Sequence, residues 1–377
     1  MKELLRSKAP SLFRLLKGLK YIFGRTKNLL ESGLQLALTC FLSARFAKLP
    51  PAPERSKPHL LLLTDFNLPP GYEQDSAYEL WALSLMEADL ASFTRMTLTK
   101  GISNKLKFIR DLYETCKTEK PDLILLALGG DPDIFPAAKT WRKICQNLPS
   151  PLLVLLADSL PHSISYLERI PEICAVISID SAAPCQNSSL LAAKSSFLPS
   201  PICTRIFFPQ NGPRLQQVAF MGLRSHHYRY RAEILDKLEK SGVPVYKGGG
   251  YDARVSLENM AEIYRNSLFV VNFSGKNDRI IQCKGRVMEA TLCGACLIEY
   301  DNPETNKWLR PNIDYVPYSD IEEIPEIVRN LLRKPDKIEK IRLSGMRQAQ
   351  KKFGAEKTWR QILDFSKRPP MEKTAFP

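Results

Sequence analysis

Three runs of residues constrain this chain more than anything else in it. They are His59-Leu60-Leu61-Leu62-Leu63-Thr64, the stretch from Pro121 to Leu128, and the stretch from Pro151 to Asp158. Each is apolar at nearly every position rather than at alternate ones. A strand of that kind has no face to offer water, so it belongs in a sheet covered on both sides. The intervening sequence reads as helix at 76–91, 102–118 and 136–147, with a short strand from Thr94 to Leu98 and a further apolar segment from Glu172 to Asp180. This alternation predicts a parallel, doubly wound α/β sheet over 58–209, whose ligands sit beyond the carboxyl ends of the strands. Those ends carry Asp65-Phe66-Asn67, Gly129-Gly130-Asp131-Pro132-Asp133 and Asp158-Ser159-Leu160-Pro161-His162.

A second α/β set follows a polar linker at 209–216. Strands are expected at Val218–Gly222, Val243–Lys247, Leu268–Phe273, Ala295–Tyr300 and Tyr315–Tyr318. Helices are expected at 229–241, 256–264, from Lys284 to Gly294, and at 320–333, 335–353 and 355–366. Ser274 to Gln282 reads as a polar loop. The chain of 377 residues therefore divides into a basic N-terminal extension with a Pro-rich linker (1–57), a first domain (58–209), a second domain (210–354), and a final helix and tail (355–377).

The helix opening at Lys284 breaks a local rule. Lys284 and Arg286 stand where the helix dipole is positive, which disfavours cations. A bound anion such as a phosphate reverses the sign of that argument. Glu289 lies three residues beyond Arg286 on the same face, placed to accept hydrogen bonds from sugar hydroxyls. The same spacing also suits a surface helix in which Arg286 and Glu289 simply pair. Arg224, Arg229 and Arg231 crowd the helix start after the strand ending at Gly222, where a glycine lets backbone approach a ligand; the plain alternative is a solvated basic loop. Gly248-Gly249-Gly250 lacks dinucleotide-site spacing.

The stretch Lys284-Gly285-Arg286-Val287-Met288-Glu289-Ala290-Thr291-Leu292-Cys293-Gly294-Ala295, with Val270-Val271-Asn272-Phe273-Ser274 before it and Asn302-Pro303-Glu304-Thr305 after it, resembles the group 1 glycosyltransferases. The branch it looks most like is the spore-maturation glycosyltransferase-like proteins, with their K-x-R-x-x-E-A-x-x-C-G-A core. The resemblance runs from about Val218 to Phe365; residues 59–210 share only its pattern. It implies a GT-B architecture, two Rossmann-like domains facing a cleft, with the last helix crossing back to the first domain. It also implies sugar transfer from a nucleotide-diphosphate sugar, without obligatory metal or other cofactor and with retention, to a glycan, lipid-linked or protein acceptor. Gly222, Arg224, Arg229, Arg231, Lys284, Arg286 and Glu289 would form the donor site, with Glu289 on the ribose as the second Glu of an E-x7-E motif. The first Glu of that motif is replaced by Ile281, and the nearest acid is Asp278. A non-catalytic sugar-nucleotide or glycan-binding relative is the alternative that Ile281 keeps open.

Asp158 and His162 are the candidate acid–base pair for an acceptor hydroxyl. The plain alternative has Asp158 capping the next helix and His162 on a solvated turn. Asp131-Pro132-Asp133 reads as a turn and cap rather than a metal site.

The net charge of +14 is concentrated at the front: residues 1–57 hold twelve Lys/Arg against three Glu. Leu12 to Phe23 alternates apolar and basic residues at helical spacing, suited to an anionic membrane surface. The apolar run from Gly33 to Ser43 is too short to span a bilayer. The basic residues accompany no nucleic-acid recognition motif. Nine scattered cysteines, with Cys293 and Cys296 lacking partners for a zinc site, point to thiols in a reducing cytoplasm, at the inner face of a membrane if the extension binds one.

Overall fold

The computed structural model describes residues 29–44, 53–66, 77–99, 102–129, 132–224, 229–249, 255–277 and 280–367. The amphipathic stretch 12–23, Asn67, Gly130, Asp131, Asp278 and the tail beyond Lys367 lie outside them.

The first unit contains helix α1 (residues 29–44), then β1 (His59–Phe66), α2 (Ala77–Ala88), β2 (Ser92–Thr99), α3 (Ile102–Glu119), β3 (Leu123–Leu128), α4 (Ala138–Asn147), β4 (Leu152–Leu156), α5 (Pro161–Leu167), β5 (Ala175–Ser178), α6 (Ala183–Gln186) and β6 (Ser195–Phe197). The strands form a six-stranded sheet in the order β2-β1-β3-β4-β5-β6, and every pairing is parallel. The unbroken apolar strands are explained by what covers them. Leu61, Leu63, Ile124, Leu126, Val154 and Leu156 pack on one face with Ile109 and Leu112 of α3 and Trp141 of α4. The alternate residues Leu60, Leu62, Leu125, Leu153 and Leu155 pack on the other, with Trp81 and Leu85 of α2.

The second unit runs β7 (Leu215–Met221), α7 (Arg229–Lys240), β8 (Val245–Gly248), α8 (Leu257–Asn266), β9 (Ser267–Val271), β10 (Gly275–Asn277), β11 (Ile280–Ile281), α9 (Gly285–Leu292), β12 (Cys296–Tyr300), α10 (Pro303–Asn306), β13 (Val316–Tyr318), α11 (Ile324–Leu332), α12 (Pro335–Lys352) and α13 (Ala355–Ser366). Its sheet has the parallel order β13-β12-β9-β7-β8. It too is covered on both faces, by α8 and α9 on one side and by α7 and α11 on the other, with α12 giving Ile338 and Ile341 to the latter core and Ala349 to the former. Cys293 and Cys296 fall on opposite sides of this sheet, each buried in a different core, and all nine cysteines are free thiols.

Helix α13 leaves the second unit and packs on the first. Trp359, Ile362 and Leu363 join the core around Trp81, and the Trp359 indole Nε1 donates to Ser84 Oγ at 2.8 Å.

Three local expectations are corrected. The 274–282 stretch is not simply a loop but carries the antiparallel hairpin β10–β11, which puts Ile281 in a strand. Asp158 does not cap the following helix: Leu160 occupies that position, without a side-chain cap bond. His162 lies in the first turn of α5, exposed, rather than on a turn.

Candidate functional site

The second sheet changes winding direction between β7 and β9: β8 lies to one side of β7, and β9, β12 and β13 extend to the other. At such a switch point the two exit loops diverge and leave a crevice beyond the carboxyl ends. Gly222 follows β7, Asn272 follows β9, and the amino end of α9 points into the same place.

Arg286, in the first turn of α9, ties these together. Its Nε donates to Asn272 Oδ1 at 3.1 Å, its Nη1 donates to the Met221 carbonyl, and its guanidinium lies 5.9 Å from the Phe220 ring centroid. Gly222 makes room for this. A Cβ there would collide with the Arg286 guanidinium and come within 2.8 Å of the Phe220 ring. The glycine admits an arginine of the chain itself, an explanation that sequence reasoning, looking for ligand approach, did not supply.

Glu289 sits one turn further along α9, only 7% exposed. Its Oε2 has no hydrogen-bond partner among the described residues. Burial raises its carboxyl to about 7, with Arg286 pulling in the opposite direction. Leaving a buried carboxylate oxygen unmet is expensive, because the group has lost water and gained nothing. The side chain rises toward the start of the helix: a Cβ on Gly285 would lie 3.1 Å from its Oε1.

One residue that sequence reasoning passed over completes the frame. Glu299, fully buried at the end of β12, accepts from Asn272 Nδ2 at 2.5 Å and from the Tyr300 amide at 3.0 Å. Burial lifts it to about 7 as well. A relay Glu299–Asn272–Arg286 therefore fixes the guanidinium. The signal was available: a carboxylate interrupts the otherwise apolar run Cys296-Leu297-Ile298-Glu299.

The other arginines take different places. Arg231 is buried, with its guanidinium donating to the Leu223 carbonyl at 3.3 Å and the Phe273 carbonyl at 3.4 Å, so it clamps both exit loops. Arg229 projects outward, 82% exposed at its side chain, and pairs with Glu233 at 3.0 Å. Arg224 is half-buried two residues past Gly222.

Lys284 precedes α9 and reaches across to the first unit. Its Nζ lies 2.8 Å from Asp158 Oδ1, past the end of β4, and 3.8 Å from Asp180 Oδ2, past the end of β5. Asp180 is buried, and desolvation raises its carboxyl while Lys284 opposes the rise. Gln282 Nε2 donates to Asp180, and the Cys283 amide donates to the Asp180 carbonyl at 2.7 Å. Further along, Glu304 accepts from Ser181 Oγ and the Ala182 amide, each at 3.3 Å. The carboxyl ends of the two sheets are thus laced together around the amino end of α9. Asp158, Lys284, Arg286, Glu289 and Gly222 converge on this region, whereas Arg229 faces solvent. Chemically, the arrangement offers fixed cations and helix amides to an anion, and an unmet carboxylate to hydroxyl donors.

Known proteins share this architecture. Residues 223–364 match a family model described as glycosyl transferase-like. No curated protein sequence matches the chain. Among solved structures, HepE of Anabaena in complex with UDP and glucose superimposes with a TM-score of 0.56 at 12% identity, covering 81% of this chain and 98% of that one. An alpha-glucosyltransferase in complex with UDP and a 13-mer DNA gives 0.57 at 9% identity, covering 83% and 100%. Sucrose-phosphate synthase from Thermosynechococcus elongatus gives 0.56 at 11% identity, covering 82% and 98%. Two parallel sheets facing each other, with the last helix returned to the first, are the fold of GT-B glycosyltransferases, and within it the segment 223–364 matches the glycosyl transferase-like family model.

Proposed function

We propose that the chain transfers a sugar, a hexose in the first instance, from a nucleotide-diphosphate donor bound at the amino end of α9. The observation that carries this reading is Glu289, a buried carboxylate with an unmet oxygen one turn below a fixed guanidinium. Ribose hydroxyls supply the missing donors. The diphosphate leaves with its charge held by Lys284, Arg286 and the helix amides, so departure needs no metal. Similarity to structures holding UDP, one of them with glucose, supports a uridine nucleotide as the first donor to try. Arg224 lies near enough in sequence to Gly222 to contact the donor, and Arg231 acts on it through the exit loops. Asp158, with His162, is the acid–base candidate toward an acceptor hydroxyl of a glycan, lipid-linked group or protein. Since Asp158 holds Lys284, donor phosphate competes with Asp158 for that ammonium. Retention, a cytoplasmic location and kinship with the spore-maturation branch belong to the same proposal.

Ile281 favours a second reading, binding without turnover, because an apolar residue stands in the hairpin where the motif has an acid. Titration with UDP, GDP, ADP, TDP and CDP, followed by thermal stability with magnesium or chelator, separates the possibilities. A shift with one nucleotide, indifferent to magnesium and lost in Glu289→Ala, supports the site. Turnover of the matching nucleotide sugar supports the enzyme, and binding without turnover over a broad acceptor panel supports the second reading.

A further inference from the structure

Helix α1 sets polar residues against the protein beside Leu38 and Leu42: Gln35, Thr39 and Ser43 are buried at 2%, 0% and 4% exposure. Each is matched, Gln35 Oε1 accepting from the Ala137 amide at 2.9 Å, Thr39 Oγ1 donating to the Gln35 carbonyl at 2.7 Å, and Ser43 Oγ meeting the Tyr113 hydroxyl at 2.8 Å. Leu42 joins the core beneath. The outward side is apolar along its length. Leu30, Gly33, Leu34, Ala37, Cys40, Phe41 and Ala44 recur at helical spacing, and Leu29, Leu30, Leu34 and Phe41 are 67%, 70%, 55% and 65% exposed. No Lys, Arg, Asp or Glu interrupts residues 32–44. Isolated exposed leucines are ordinary, but a continuous apolar helix face marks an interaction surface.

We infer that this face lies in the interfacial layer of an anionic membrane. Charge identifies the occupant: residues 1–28, which lead directly into α1, carry eight Lys/Arg against Glu3 alone. An apolar stripe joined to a dense cationic segment matches a surface with acyl chains below and negative headgroups above. A sixteen-residue helix extends about 24 Å, short of the roughly 30 Å hydrocarbon core. Among the described residues no helix is long and apolar enough to cross a membrane. The helix therefore lies in the surface rather than spanning it, with its polar bonds holding the first domain against the bilayer. This inference is independent of the proposed sugar transfer.

The test uses the full chain and vesicles of phosphatidylcholine, with or without about a third phosphatidylglycerol. Cys40, exposed on the outward face, is labelled with a polarity-sensitive fluorophore. Binding to the anionic vesicles, weakened by salt and accompanied by a blue shift of the label, is the expected result. The triple change Leu30→Ser, Leu34→Ser, Phe41→Ser should weaken binding roughly a hundredfold with unchanged thermal unfolding. Failure to bind anionic vesicles overturns the inference. So does binding in which the triple variant is unimpaired and the label stays in water, since the basic residues then act alone. Lipid-free self-association that the triple change abolishes would assign the face to a second copy of the chain.

Discussion

Glu289→Gln tests the site through stability rather than activity. Burial raises this carboxyl from the ordinary glutamate value of 4.5 to about 7. At 1.36 kcal/mol per unit, that rise corresponds to roughly 3 kcal/mol of penalty for keeping the charged form in the fold. The sign follows from proton binding. Between pH 4.5 and 7 the native state holds the proton more tightly than the unfolded chain, so stability falls as pH rises through that window and levels off above it. Glutamine preserves the volume and removes the titration. The variant should be more stable than the parent at pH 8, by up to about 3 kcal/mol, with the gap closing toward pH 4.5. Urea unfolding at a series of pH values measures this. Glu299 rises to the same value by burial, so the parent keeps some pH dependence in either case, and the difference between variant and parent is the informative quantity. Nucleotide should stabilise the parent and barely affect the variant, the trade of stability for function expected of a binding site. A variant less stable than the parent at pH 8, or a gap that does not change with pH, would refute the account of Glu289 as a desolvated, unmet carboxylate.

Other outcomes follow from the same geometry. Gly222→Ala should lose about 1–3 kcal/mol in urea unfolding and weaken nucleotide binding, because the added methyl displaces Arg286 from the Met221 carbonyl. Asp158→Asn frees Lys284 and should tighten UDP binding several-fold by calorimetry, while Lys284→Ala loosens it; equal affinity in all three proteins would remove Lys284 from the donor site. Arg231→Ala should destabilise by about 3 kcal/mol through the unclamped exit loops, whereas Arg229→Ala should change stability by less than about 0.5 kcal/mol, since its ion pair is solvated.

Local sequence carried much of the architecture because local sequence is what a doubly wound sheet demands. A strand buried on both faces must be apolar throughout, and β1, β3 and β4 announce themselves for that reason. Helix α9 was legible from its cationic start and from Gly294, which takes φ of 74° after the last turn. Short elements were not. Helix α5 begins without a side-chain cap, and β11 has two residues, too few to show a period.

The candidate site divides along the same line. That Lys284, Arg286 and Glu289 gather at one helix end is a matter of helical spacing and needs nothing beyond the sequence. That Asp158 meets Lys284, 126 residues away, depends on two sheets packing end to end. Which arginine points inward was also decided there. Arg229 and Arg231 are equally basic and two residues apart, but two residues is about half a turn of helix, so one faces solvent and the other the core. Composition and spacing determined the long buried strands, the longer helices and the cationic start of α9. Only tertiary packing decided which of its charges are answered by the protein and which, like the Glu289 oxygen, are not met by any described residue, because desolvation and pairing depend on neighbours that the chain brings from far away.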